Sequence, residues 1–151
     1  MKKLSREIIN FFQHQGFVIV CTIDKDGRPH ASCKGIVKIK PDGKIYLLDL
    51  YKKRTYSNLK RNHRINITAV DEHRFKGYCL KGRAKIIAGN NLALEIITAW
   101  ESRITTRITQ RLLKNLREEK GHPRHPEALL PKPEYMIEME VDEIVDLAPL
   151  V

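Results

Sequence analysis

The chain has 151 residues and a mass of 17.5 kDa, and its 28 lysines and arginines outnumber its 18 acidic residues by ten. That length supports one domain, residues 1–151, around a single core. A hydrophobic content of 42% with 30% charged residues is globular rather than disordered, and no apolar run approaches the roughly 20 residues of a membrane span.

Ser5 is placed to cap a short helix whose apolar positions Ile8, Ile9, Phe11 and Phe12 share a side, with Gly16 as its stop. Phe17 to Ile23 is β-branched and aromatic and reads as a strand. Asp26-Gly27 then supplies the positive φ of a tight hairpin. His30 to Lys40 is a second strand, Pro41-Asp42-Gly43 a second turn, and Lys44 to Leu50 a third strand. Three strands joined by short turns make an antiparallel meander. Lys53 to Asn62 reads as a short helix. Arg64 to Val70 alternates with period two and is a half-buried strand, and Phe75 to Ile87 is another, with Gly77 or Gly82 offering a bend.

Asn90 or Asn91 is placed to cap a long helix closed by Gly121 and Pro123, a helical insertion over about 90–121. Its apolar stripe is Ile97, Trp100, Ile104, Ile108, Leu112 and Leu116, which must pack on the domain or on a partner subunit. Residues 122–133 read as a linker, and 134–146 as a closing strand. Six β segments with so few helices predict a mainly β protein, a small antiparallel barrel with peripheral helices.

Two cationic concentrations stand out. Residues 51–70 contain no acid but hold Lys52, Lys53, Arg54, Lys60, Arg61 and Arg64. Arg103, Arg107, Arg111, Lys114 and Arg117 recur at helical spacing and read as a solvated helix face rather than a nucleic-acid contact. Cys21, Cys33 and Cys79 are odd in number and lack metal-ligand spacing, so reduced thiols in a cytoplasmic chain are expected, with no metal site and no disulfide framework. Met1-Lys2-Lys3 is followed by no apolar signal region.

The turn after the third strand carries the functional expectation. Lys52, Lys53 and Arg54 precede the first turn of a helix whose free N–H groups face them, and Thr55 adds a hydroxyl. Cations, a hydroxyl and a helix N-terminus suit a phosphate monoester.

Four ordered segments carry a family resemblance: Asp26-Gly27-Arg28-Pro29-His30-Ala31-Ser32, then Gly43 to Asp49, then Arg54-Thr55 with Asn58-Leu59 and Asn62-His63-Arg64-Ile65, then Gly77 to Gly82. In this order they resemble the pyridoxamine 5'-phosphate oxidase-like split-barrel family, over residues 5–88 and 134–146. His63 stands where the family has proline, and the long helix is an insertion into its pattern. The resemblance implies a six-stranded antiparallel split β-barrel that forms a homodimer, with flavin mononucleotide (FMN) in the groove between subunits. It places Arg54 and Thr55 on the phosphate, with Lys53 as helper; Ser32, Cys33 and Lys34 along the ring and ribityl chain; and Leu47 and Leu48 beside it. Asn58 falls on the same pattern, or is a turn residue inside the fold. Lys34 aims at the phosphate, at the pyrimidine edge of the flavin, or away from the barrel. Cys33 is expected as a buried, inert thiol, and His30 begins the same strand.

The expected activity is that of a flavin reductase-like oxidoreductase, the cofactor carrying the redox chemistry. No Arg-x-His element follows Glu143, so a vitamin B6 oxidase is not expected. Without a Gly-rich dinucleotide fingerprint, a nicotinamide nucleotide donor would dock transiently on the flavin. The deazaflavin coenzyme F420 is the alternative cofactor. A nucleic-acid-binding or regulatory barrel without turnover is the alternative from another class, and neither a nucleic-acid nor a membrane partner is expected. A heme-binding relative is disfavoured because the matched segments place no axial histidine.

Overall fold

The computed structural model describes residues 1–116 and 133–148. Six strands form it: β1 (Val18–Ile23), β2 (Pro29–Ile39), β3 (Lys44–Leu48), β4 (Arg64–Asp71), β5 (Lys76–Ala88) and β6 (Tyr135–Asp146). They close into a barrel in the order β1-β2-β3-β6-β5-β4 with every neighbouring pair antiparallel. Closure leaves no free sheet edge. Helix α1 (Arg6–Gln13) precedes the barrel, α2 (Arg54–Arg61) joins β3 to β4, and α3 (Leu94–Leu116) precedes β6.

The local signals act as expected. Ser5 caps α1 by accepting from the Ile8 N–H at 3.3 Å. Gly27 turns the first hairpin at φ 82°, a value that favours glycine. Gly82 sits where β5 shifts register against β6, and a Cβ there would lie 1.9 Å from the Glu140 carbonyl oxygen. Only glycine allows the two backbones to approach so closely.

Two apolar clusters follow from strand alternation. Inward-facing Val18, Val20, Ile36, Ile45, Leu47, Ile65, Ile67, Leu80, Ile137 and Met139 fill the barrel, and Leu4, Ile8 and Phe12 of the N-terminal segment join them. On the outside of the wall, Val37, Tyr46 and Met136 are covered by Leu92, Ile96 and Trp100. Helix α3 is therefore a lid on the outer face of β2, β3 and β6.

The long helix departs from expectation in two ways. Gly89–Asn91 forms a short 3-10 turn and the helix begins at Leu94, so neither asparagine caps it. Its buried face is Ile96 and Trp100, with Ile97 and Ile104 only half-buried. Trp100 and Ile104 of the expected stripe do face the barrel, and Ile96 rather than Ile97 completes the buried face. The side chains of Ile108, Leu112 and Leu116, together with Gly121, Pro123 and most of the 122–133 linker, lie outside the described residues.

Candidate functional site

The elbow between β3 and α2 is a network anchored in buried charge. Along β2, Ser32 and Lys34 lie opposite the buried Val20 and Val18 of β1, so they face the barrel interior at its open end. Lys34 Nζ donates to Asp49 Oδ1 at 2.7 Å, with both side chains at most 10% exposed. The other Asp49 oxygen accepts from the Tyr135 hydroxyl at 2.5 Å. Burial first, and then the hydrogen bond to Asp49, push the Tyr135 phenol well above its ordinary pKa. Lys34 therefore points inward and is neutralised; neither the outward orientation nor a free cation is found.

Around this core the elbow is stapled from several sides. Lys52 pairs with Glu134 at 2.7 Å and lies over the Tyr135 ring, and Tyr56 packs edge-on against the same ring. The hydrogen bond to Glu134 raises the Lys52 pKa. Lys53 Nζ lies over the Tyr51 ring at 5.3 Å. Arg54 is two-thirds exposed and sits 3.7 Å from Asp24. Buried Thr55 shares a 3.1 Å hydrogen bond with Ser32, joining α2 to β2. Lys53, at the N-cap of α2, makes no side-chain capping bond. The first-turn N–H groups are thus left for another acceptor.

The remaining predicted residues separate. Asn58 is buried, donates to Thr22 Oγ1 and Asp24 Oδ1, and accepts from Arg61; all its polar atoms bind the fold. That is the interior-turn alternative. Leu47 is fully buried inside the barrel, whereas Leu48 faces outward beneath α3. Cys33 is exposed, not buried, because it lies between inward-facing Ser32 and Lys34 and must point out. His30 is half-buried at the start of β2. Sequence reasoning missed Asp49 and Tyr135 as the groups that fix Lys34. The available signal was an acidic residue ending the apolar strand Ile45–Leu48.

The second basic concentration is not a solvated face where it is described. Arg103 and Arg107 both donate to the Gly16 carbonyl, at 3.4 and 2.8 Å, and Arg107 stacks on Phe17 at 5.4 Å. Burial lowers the Arg103 pKa. With Gly35, Val37, Leu48 and Trp100 they enclose a tight gap between α3 and the barrel. Arg111, Lys114 and Arg117 lie outside the described side chains. Among the described residues no cluster of three His, Cys, Asp or Glu is placed to hold a metal, and no helix is long and apolar enough to cross a membrane.

A closed six-stranded antiparallel barrel, with a polar elbow at one mouth and a helix laid over its outer wall, defines a protein of the split-barrel class. The chain belongs to the pyridoxamine 5'-phosphate oxidase family, whose model matches residues 4–137. No curated protein sequence matches the chain. Similar solved structures include HupZ from Group A Streptococcus, at 19% identity and a TM-score of 0.68, covering 96% of this chain and 94% of that one. HutZ from Vibrio cholerae, described as a heme storage protein, is 20% identical with a TM-score of 0.54, covering 95% and 94%. An F420 reductase is 13% identical with a TM-score of 0.54, covering 85% and 88%. At these identities the likeness is one of fold.

Proposed function

We propose that the protein is an FMN-binding oxidoreductase of the flavin reductase type, with the FMN phosphate held by the turn at Lys52–Thr55. The observation that carries this reading is the elbow itself. An exposed guanidinium at Arg54, the uncapped first turn of α2, and the Ser32–Thr55 hydroxyl pair converge there. These donors fit a dianionic phosphate, which gains from both charge and directed N–H groups. Lys53 adds charge beside them, and the Asp49–Tyr135–Lys34 network holds β2 and the elbow in register. Bound flavin would supply hydride and electron transfer, the protein providing grip and orientation. A nicotinamide nucleotide, docking transiently, is the proposed donor.

A homodimer is part of the proposal. Phe17, Ile19 and Val70 are each about half exposed or more, on the outer face of β1 and β4. Cys33 lies exposed opposite Ile19. An apolar strip of this kind, bordered by Arg107 over the Phe17 ring, suits a second copy of the same surface.

The test is reconstitution with FMN and with riboflavin, followed by titration of Arg54→Ala. One charge-assisted phosphate contact is worth about 1.5–3 kcal/mol, so FMN affinity should fall about 10- to 150-fold. Riboflavin, lacking phosphate, should bind the variant and the parent alike. Equal losses for both ligands, or a parent protein that retains neither flavin, refute the reading. Preferential retention of F420 would transfer the same elbow to the deazaflavin cofactor, and preferential uptake of heme would overturn it.

A further inference from the structure

Beyond the far end of α2 lies a second cationic site that the flavin reading does not use. Arg64 and Arg83 stand directly opposite each other in the β4–β5 ladder. Their neighbours Ile65 and Ala84 are buried, so both arginines project outward, and both are exposed. Opposed residues on one sheet face have Cβ atoms about 5 Å apart, and like charges in that position destabilise the pair. Among the described residues neither guanidinium forms an ion pair or hydrogen bond, although Glu140 is the register partner of Arg83 on β6.

These two arginines line a cleft of about 520 Å³ together with Lys25, Arg61, His63 and Asp24. Arg61 is fixed in place by donating to the Ile23 carbonyl at 2.8 Å and to Asn58 at 2.9 Å. Asp24, the one carboxylate in the lining, already accepts from Asn58 and faces Arg54. Four permanent cations thus surround one hollow whose single acid is occupied. A pair of guanidinium forks offers bidentate donors to oxyanions, and the size of the cleft matches a small ligand rather than a single ion. Two opposed guanidinium forks with no ion pair of their own among the described residues are a ready receptor for an oxyanion.

We propose that this cleft binds a chain of two or more phosphoryl groups, either free polyphosphate or the phosphate chain of a nucleotide. The proposal does not depend on the flavin reading, because its residues lie beyond α2 rather than at Arg54 and Thr55.

The experiment titrates tripolyphosphate into the parent protein and into Arg64→Thr/Arg83→Thr, by calorimetry and by thermal denaturation. Threonine suits an exposed strand, so the double variant should fold, and without ligand it should melt no lower than the parent. Its affinity for tripolyphosphate should fall at least tenfold, with the ligand-induced rise in melting temperature largely lost. Single Arg64→Gln and Arg83→Gln variants, which keep a polar side chain of similar length, should each lose part of the affinity. Lys53→Ala, which removes a cation of the elbow without touching Asp24, should retain it, which separates this site from the elbow. ATP binding more tightly than tripolyphosphate, with the same arginine dependence, identifies a nucleotide; equal binding identifies the free chain. A parent protein that does not bind tripolyphosphate overturns the proposal, as does a double variant that binds it unchanged. Oligonucleotides that displace tripolyphosphate with affinity growing steadily with length would replace it with a nucleic-acid surface.

Discussion

The mouth of the barrel and its lidded outer wall are built from opposite materials. At the mouth, Lys34, Asp49 and Tyr135 bury charge and hydroxyl groups at the junction of β2, β3 and β6. On the wall, Val37, Tyr46, Met136, Ile96 and Trp100 bury almost pure apolar surface between α3 and the sheet. Apolar packing tolerates small displacements with graded loss, whereas a buried ion pair fails when either member is removed. The mouth is therefore suited to fixing the geometry of a phosphate-binding elbow, and the wall to holding a helix in place. The cations follow the same division. Those of the elbow lie near acids or aromatic rings, while Arg103 and Arg107 of α3 reach the Gly16 carbonyl as packing groups.

The largest effect is expected on the wall. Trp100→Ala empties the centre of the outer cluster, and truncation of a buried aromatic costs about 3–5 kcal/mol. Denaturant unfolding should show that loss, while flavin affinity at the elbow changes little if α3 acts only as a lid. Asp49→Ala at the mouth strands the Lys34 ammonium and the Tyr135 hydroxyl together, for a cost of about 3 kcal/mol. The triple variant Lys34→Met/Asp49→Leu/Tyr135→Phe removes every partner at once and should recover most of that stability without recovering FMN binding. Recovery of both would show that the polar network does not position the elbow.

Much of this architecture was legible in the chain because it is local. Gly27 needs only its own φ, Ser5 only the amide three residues on, and strand alternation only period two. The elbow was legible for the same reason, since Lys52 to Thr55 are consecutive. What escaped was non-local. Lys34 meets Asp49 across 15 residues only when β2 pairs with β3, and Asp49 meets Tyr135 across 86 only once β6 closes the barrel. Cys33 was misjudged because its burial depends on which face of β2 turns inward, and a one-residue change of parity reverses it. In the stripe of α3, Trp100 and Ile104 were placed correctly and Ile97 was chosen over its neighbour Ile96. Ile97 and Ile96 are equally apolar, and only the position of the outer wall selects Ile96.

The smallest expected effect tests the wall where it is not purely apolar. Glu138 is buried on the outer face, 2.9 Å from Lys85. Burial opposes its ionisation, yet the Lys85 ammonium paired with it, the neighbouring Tyr46 hydroxyl and the charge of Lys44 hold its carboxyl below the ordinary range. A carboxyl depressed by folding contributes stability above its unfolded pKa, near 4.5, and loses it as pH falls through the lower folded value. Glu138→Gln should therefore flatten the acid limb of the stability profile below about pH 4.5 while lowering stability near neutrality. The Lys34–Asp49 pair at the mouth is untouched by this change, so FMN affinity at neutral pH should be unaltered. An acid limb as steep in the variant as in the parent would mean that Lys85 and Tyr46 stabilise the wall by contact alone, without drawing on the charge of Glu138.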